Sequence, residues 1–304
     1  MAEIVCLNGR LIPSVEAALS PFDHGFLYGY GLFETMRAYG GHIFRLDRHL
    51  ARLRRSARSI GLGDGVMGAL ETPGGEESLE AACLKTLQAN GLSEARIRLT
   101  VSAGEGDMTP DATPSRATVL VTVRPPVPPS PEKYRAGYKA VTSSVSRNSG
   151  SPLSRLKSTC YLENLLARAE ARAAGCDEAI MLNEQGHLAE GSTTNIFLVG
   201  ESPSAGGRGR GGVLITPSIE SGVLPGITRE AVLEIAGAMN IETRERAVEL
   251  RELREAGEAF LTNSIVEIMP LTRFEGRPIG NGKPGAVTGT LLAAFRRLVR
   301  EEAR

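Results

Sequence analysis

The stretch GLFETMRAYGGHIFRLDRHLARLRRSARSI, residues 31–60, changes its pattern twice within one short span. Gly31–Tyr39 reads as a strand, and the paired glycines of the YGGH turn suit a hairpin into a second strand over His42–Arg45. From Leu46 the spacing becomes helical. Leu46, Leu50, Leu53 and Ala57 fall on one stripe of a helix reaching Ile60, which leaves an arginine-rich polar face that includes Arg52. A hairpin that runs straight into an amphipathic helix predicts a mixed α/β (α+β) fold.

The same mixing extends in both directions. Upstream, Glu3–Leu7 reads as a strand. Downstream, a helix is predicted over Glu77–Asn90, ending at a C-terminal glycine cap, Gly91. ARIRLTVSA (95–103) and ATVLVTVRP (117–125) then read as strands. Five prolines between Arg124 and Tyr134 mark a stiff linker, because proline cannot donate to a sheet ladder. The predicted organisation is a small domain over 1–123, a linker over 124–134 and a larger domain over 135–304. In the second part, Leu162, Leu165, Leu166 and Ala169 form the stripe of a helix ending near Gly175. DEAIMLNEQGHLAEGSTTNIFLVG gives strands around a turn at Glu184–Gly186, and GVLPGITREAVLEIAGAM gives a loop feeding a helix. AFLTNSIVEIMPL is an apolar strand, a polar turn and a second apolar run, and no internal repeat is present.

With 304 residues, 41% of them hydrophobic, the chain can bury a core for two domains. Its formal net charge of zero makes no demand for nucleic acid or an anionic membrane as partner. The four cysteines show no CxxC or metal-ligand spacing, and His24, His42, His49 and His187 have none either, so no metal site is expected. MAEIVCLNGRLIPS lacks a signal-peptide pattern, and the expected location is cytoplasmic. The glycine-rich loop GESPSAGGRGRGG (200–212) contains arginines but no interleaved aromatics. An RNA-binding, non-enzymatic role through it is therefore the weaker class of reading.

Chemistry is suggested first by Lys157 in SRLKSTCYLE (154–163). Only five of the 35 basic residues are lysines, and a lysine amine can lose its proton and attack a carbonyl where an arginine cannot. Leu156 before it and a helix after it would both disfavour the ammonium form. A second candidate is Glu190, a carboxylate followed by small and hydroxylated residues. In LPGITRE, Gly226 permits close approach, while the amides of Ile227 and Thr228 at a helix start suit a phosphate. Arg52 could grip the same anion bidentately. The competing readings are an exposed lysine, an acidic turn residue, a capped helix and a solvated arginine. The glycines of LYGYGLFE do not form GxGxxG and precede a strand, so a nucleotide loop is rejected. A reactive lysine, a phosphate cradle and an isolated carboxylate together describe a pyridoxal phosphate site.

These residues resemble the fold-type IV pyridoxal phosphate enzymes, which include branched-chain aminotransferases, D-amino acid aminotransferases and aminodeoxychorismate lyases. The resemblance runs nearly end to end. It is carried by FDHGFLYGYGLFETMRAYGG, FRLDRHLARLRRSA, LKSTCYLENLLARAEA, DEAIMLNEQGHLAEGSTTNIFLV, SGVLPGITRE, EAFLTNSIVEIMPL and GRPIGNGKPGAVT. It implies a small N-terminal α/β domain, a larger C-terminal pseudo-barrel and a homodimer with active sites near the subunit interface. It further implies that Lys157 is the Schiff-base lysine and Glu190 the pyridinium partner, with Arg52, Ile227, Thr228 and Ser264 on the phosphate. Tyr161 matches a residue that binds the cofactor's phenolic oxygen, although it follows the lysine one position earlier than in the branched-chain enzymes. Tyr28, Phe33, Arg98 and Ile265 are implied on the substrate side.

Within the family, Phe33-Glu34-Thr35 resembles the lyases, in which a threonine near the lysine assists proton transfer, rather than the Phe-Glu-Gly of branched-chain enzymes. Ala103 stands where D-amino acid enzymes carry an arginine, and Arg96 where the branched-chain pattern has tyrosine. The expected reaction is release of 4-aminobenzoate and pyruvate from 4-amino-4-deoxychorismate, for folate synthesis. Branched-chain amino-group transfer to 2-oxoglutarate is the alternative, and D-amino acid transfer a more distant one.

Overall fold

A computed structural model of the chain describes residues 3–62, 78–109, 116–200 and 212–303. Most of the glycine-rich loop, 201–211, and Glu77 at the expected start of the second helix lie outside the described residues. Two compact units are present. The first is Met1–Val127 with Leu156–Cys160 and Val299–Arg304; the second is Pro128–Arg155 with Tyr161–Leu298. Residues 156–160 thus group with the first unit although they follow the proline-rich segment in sequence.

The first unit contains, in chain order, β1 (Ile4–Leu7), β2 (Arg10–Pro13), α1 (His24–Tyr28), β3 (Gly31–Tyr39), β4 (His42–Ile43), α2 (Leu46–Ser59), α3 (Leu79–Ala89), β5 (Ala95–Ser102) and β6 (Thr118–Arg124). Its strands form one antiparallel sheet in the order β2-β1-β6-β5-β3-β4. Gly40 and Gly41, at φ 58° and 87°, close the β3–β4 hairpin in a conformation that an L-residue resists. The second strand is shorter than expected, because Arg45 already turns to a left-handed φ of 51° to launch α2.

One face of this sheet carries Leu32, Met36, Ala38, Ile97, Leu99, Val121 and Val123. It is buried with Leu50, Leu53 and Ala57 of α2 and with Cys83 and Leu87 of α3. Each fully buried leucine there contributes about 1.5–3 kcal/mol relative to exposure. Strand alternation puts Phe33, Thr35 and Arg37 on the opposite face, beside Arg96, Arg98 and Thr100 of β5.

The second unit begins within the segment expected as a stiff linker, and the end of that segment carries a short helix, α4 (Pro131–Ala136). Ser130 caps it by accepting from the Lys133 amide, and Pro131 occupies its first turn. The unit continues through β7 (Tyr138–Thr142), α5 (Leu162–Ala173), β8 (Glu178–Leu182), β9 (Leu188–Gly191), β10 (Asn195–Gly200), β11 (Val213–Pro217) and α6 (Ile227–Ala238). After these come β12 (Thr243–Arg246), α7 (Leu250–Glu255), β13 (Glu258–Asn263), β14 (Glu267–Phe274), β15 (Arg277–Pro278) and α8 (Ala286–Glu302), of which the residues from Val299 on group with the first unit. The sheet runs β12-β11-β10-β13-β14-β7-β8-β9, with β15 beside β14. β9 packs back against β10 and β11, so the sheet curls towards a barrel. Phe197 and Phe260 stack at 4.9 Å in its interior.

The leucine stripe of α5 faces outward. Leu162, Leu165 and Leu166 are 67%, 53% and 50% exposed, while Asn164, Ala167 and Ala171 are buried, the two alanines packing with Ala179 and Met181 of β8. Small side chains let the helix lie close on the strand, and the leucines are left on its outer side. Among the described residues no helix is long and apolar enough to cross a membrane.

Candidate active site

Lys157 sits in extended backbone. Its carbonyl accepts from the Phe33 amide at 2.8 Å, Ser158 bridges Leu32, and the Thr159 amide donates to the Gly31 carbonyl at 2.9 Å. The segment is in effect a short added strand on β3. The expected helix begins only at Leu162, so no helix start adjoins the amine. Instead Nζ lies 4.7 Å from the centre of the Phe33 ring, and the Arg98 guanidinium carbon lies 3.7 Å from the same ring. An aromatic face attracts cations, so Phe33 gathers both groups. Arg98 also donates to Thr100 Oγ1 at 3.2 Å, and it is the direct cross-strand partner of Thr35. Lys157, Phe33, Thr35 and Arg98 are therefore brought together. Tyr28 belongs to α1, where its hydroxyl donates to the Met108 carbonyl and its ring meets His24 edge-on at 5.0 Å.

Arg52 is not on a polar face. It is only 4% exposed and points at Glu34, which is 1% exposed. Its Nε donates to Glu34 Oε1 at 2.8 Å and its terminal nitrogen to Oε2 at 2.5 Å, while His49 Nδ1 lies 2.7 Å from Oε2. His49 and Arg52 are three apart on α2 and so share a side of the helix. Burial alone would raise the Glu34 carboxyl. The Arg52 charge and the hydrogen bonds from His49 and Arg52 outweigh it and bring its pKa down to about 2. Burial, with the Arg52 and Lys157 cations, lowers His49 in spite of Glu34, so the ring is neutral at pH 7. The result is a buried Glu34–Arg52 ion pair that fixes the plane of the Arg52 guanidinium.

Glu190 lies at the end of β9 and is 5% exposed. Arg147, itself buried, reaches its Oε1 at 2.9 Å and also donates to the Ser154 carbonyl at 2.7 Å. The other oxygen, Oε2, accepts from Asn195 Nδ2 and from the Leu224 amide, each at 3.1 Å. This carboxylate is oriented from three sides, which an ordinary turn residue is not.

Beyond Leu224 the chain enters α6, with Ile227 and Thr228 buried in its first turn. The cap residue, Gly226, makes no side-chain capping bond, so the amides of the first turn are not closed off by a cap. A Cβ on Gly226 would stand 2.0 Å from Asn195 Oδ1, which explains the glycine. Ser264 and Ile265 lie in the β13–β14 turn. There Asn263 Oδ1 accepts from the amides of Ile265 and Val266 at 2.8 Å, and its Nδ2 donates to the Thr193 carbonyl at 3.1 Å. Tyr161 precedes α5, and its hydroxyl lies 3.5 Å from the Ser192 carbonyl.

Three residues of this machinery escaped the sequence reading. Glu34 had a signal, because it shares the core parity of Leu32 and Met36 and a buried carboxylate needs a cation. His49 could then have been found beside Arg52 on the helix. Arg147 had no local signal among 30 arginines.

Each unit carries groups of the kind that pyridoxal 5′-phosphate takes. The first unit offers an amine and a guanidinium held rigid by Glu34. The second offers an oriented buried carboxylate and a helix start without a side-chain cap. The class IV amino-transferase family model matches residues 31–274. A putative branched-chain-amino-acid aminotransferase of Methanocaldococcus jannaschii is 36% identical over 293 residues, 96% of this chain and 95% of that one. The aminodeoxychorismate lyase of Bacillus subtilis is 35% identical over 300 residues, 98% and 95% of the two chains. A T.th. branched-chain amino acid aminotransferase, solved in complex with N-(5′-phosphopyridoxyl)-L-glutamate, superposes with a TM-score of 0.85 at 30% identity, covering 98% and 94%. The chain belongs to the class IV aminotransferase family and is a pyridoxal phosphate-dependent enzyme of fold type IV.

Proposed function

We propose that the enzyme is an aminodeoxychorismate lyase, which converts 4-amino-4-deoxychorismate to 4-aminobenzoate and pyruvate. The observation that carries this reading is Thr35. It shares a sheet face with Phe33, whose ring holds Lys157, and it is the cross-strand partner of Arg98. The likeness to the Bacillus subtilis lyase along almost the whole chain supports it.

Pyridoxal phosphate, when bound, supplies an electron sink conjugated to the substrate's reacting carbon. Lys157 provides the amine that anchors the cofactor and then takes the proton from that carbon. Glu190, oriented by Arg147, Asn195 and the Leu224 amide, holds the proton on the pyridine nitrogen. In the second unit the amides of Ile227 and Thr228 and the Ser264 hydroxyl would hold the phosphate and Tyr161 would donate to the phenolic oxygen, and in the first unit the Arg52 guanidinium would supply a further phosphate contact. Arg98 takes a substrate carboxylate, with Tyr28, Phe33 and Ile265 shaping the pocket. The Thr35 hydroxyl orients or relays a proton during elimination.

A second reading, branched-chain amino-group transfer, is favoured by the Methanocaldococcus jannaschii relative. One experiment separates the two. The enzyme is given 4-amino-4-deoxychorismate and, separately, branched-chain or D-amino acids with 2-oxoglutarate. The lyase reading expects 4-aminobenzoate and pyruvate from the first, with weak or absent amino transfer. Rapid leucine–2-oxoglutarate transamination with no 4-aminobenzoate would reverse the choice. We also propose a homodimer, supported by the leucines exposed on α5, since large apolar groups clustered at a surface mark an interface.

A further inference from the structure

Glu178, at the start of β8, has no place in the chemistry above, yet it is among the most buried carboxylates of the second unit at 1% exposure. Among the described residues its ion-pair partner is Arg168, 4.0 Å away with a side chain 40% exposed. Its partners are instead hydrogen-bond donors. Oε1 accepts from the amides of Ala179 at 3.0 Å and Ser192 at 3.1 Å and from the Ser192 hydroxyl. Oε2 accepts from the hydroxyls of Thr193 at 3.2 Å and Thr194 at 3.0 Å. Four of these five donors come from three consecutive residues that directly follow Glu190 and Gly191.

The loop so gripped touches Tyr161 and the turn that holds Ser264, and Asn195, the next residue along, continues it to Glu190 and to Leu224 before α6. The Ser192 carbonyl accepts from Asn164 Nδ2 at 2.8 Å and faces the Tyr161 hydroxyl at 3.5 Å. The Thr193 carbonyl accepts from Asn263 Nδ2, while the Oδ1 of the same side chain ties the turn holding Ser264 and Ile265. Asn195 reaches Glu190 at 3.1 Å and the Leu224 carbonyl, just before α6, at 3.0 Å. A buried carboxylate is an expensive way to stabilise a loop, and replacing such a group by apolar packing is often neutral. What it does supply is one fixed geometry, because hydroxyls and amides converging on two oxygens admit few alternatives.

We propose that Glu178 is the positioning residue of this half of the site, presetting Glu190, Tyr161 and the Ser264 turn by immobilising Ser192–Thr194. The inference rests on the reading that those residues contact pyridoxal phosphate. It acts through them, and Glu178 itself touches no reacting atom.

The test uses apoprotein of Glu178→Ala and Glu178→Gln titrated with pyridoxal 5′-phosphate. It reads affinity, the pH midpoint of the cofactor's absorbance and the melting temperature of the apoprotein. Glu178→Ala should bind roughly ten-fold more weakly, as loss of a partner behind a ligating group commonly does, and should shift the pH midpoint. Glu178→Gln should recover to within about three-fold, since its oxygen can still accept both amides while the threonine hydroxyls rotate to accept from its NH2. A folded Glu178→Ala protein with wild-type affinity and midpoint overturns the inference. Should that variant fail to fold, Ser192→Ala and Thr194→Val each remove one donor. They should still move the midpoint with the melting temperature nearly unchanged, and an unmoved midpoint in both overturns it equally. Glu190→Gln separates the two layers. If it leaves the midpoint unmoved, the reading of Glu190 has failed and takes the inference with it. If it moves the midpoint and Glu178→Ala does not, only the inference falls.

Discussion

Glu34→Gln isolates the electrostatics of the first unit, because the amide keeps the shape and removes the charge. In the native protein Glu34 and Arg52 form a buried pair with two hydrogen bonds, at 2.8 and 2.5 Å, and His49 beside them is neutral. Removing the Glu34 charge takes from the buried Arg52 cation the carboxylate that both of these hydrogen bonds reach, and breaking a buried pair on one side costs about 3–5 kcal/mol. A second route gives a similar size. The Glu34 carboxyl moves from 4.5 to about 2 on folding, and at roughly 1.4 kcal/mol per unit that is worth about 3 kcal/mol. Because the folded value is the lower one, this stabilisation is complete above about pH 4.5 and is lost as the pH falls towards 2. His49 acts in the same direction. Its lowered pKa means stability is lost as the pH drops below 6.5, where the unfolded ring takes up a proton first.

Urea unfolding of the apoprotein, followed by circular dichroism because the chain has no tryptophan, should therefore show a loss of about 3 kcal/mol for Glu34→Gln at pH 7. Between pH 4.5 and 3 the wild-type protein should weaken more steeply than the variant, which lacks the titrating group. Hydrogen exchange over α2 should show the same loss locally. A cost below about 1 kcal/mol, or an identical acid slope in both proteins, would refute the reasoning and make the pair no stronger than a surface contact.

Borohydride treatment of the holoenzyme should fix the cofactor on Lys157, and a peptide map placing the adduct on Lys85, Lys133, Lys139 or Lys283 would sink that assignment. Lys157→Arg should fold and lose the yellow absorbance, since a guanidinium cannot form the imine; wild-type turnover would contradict it. Glu190→Gln should keep the cofactor bound and slow proton abstraction by orders of magnitude, while an unchanged rate would make another group the pyridine partner. Gly226→Ala puts a methyl 2.0 Å from Asn195 Oδ1, so the cofactor should bind more weakly, and unaltered affinity would show that the loop yields easily. Leu165→Glu should shift the particle towards monomer by light scattering if α5 meets a second copy; an unchanged mass excludes that face.

Much of the fold was legible because it rests on local periodicity. The span of β3, the core stripe of α2 and the first turn of α6 all follow from residues within a few positions of one another. The sequence is silent where a pattern has two solutions. In α5 the leucines and the alanines both recur at helical spacing, and a periodicity argument favours the larger groups. The structure buries the alanines, because closeness to β8 matters more there than side-chain area. The short helix at the end of the proline-rich segment was not legible for a related reason. Proline excludes a sheet interior but suits the first turn of a helix once Ser130 supplies the cap.

The candidate site is legible in the residues proposed as reactive and silent about what holds them. Lys157 and Glu190 can be proposed from residue type and neighbours, but the geometry around them depends on buried polar partners that lie far along the chain. Glu34 and Arg52 are 18 residues apart, Glu178 and Ser192 are 14, and Glu190 and the Leu224 amide are 34. No period links such positions, since each is set by the sheet order and by where a loop returns. One signal does survive in the strands. Glu34, Glu178 and Glu190 all stand where the chain is otherwise apolar, and a carboxylate there must find donors or destabilise the fold. Hydrophobic side chains of similar volume would serve stability at least as well. That three carboxylates remain at such positions argues that these strands are shaped for the orientation of a few polar groups as much as for the burial of their neighbours.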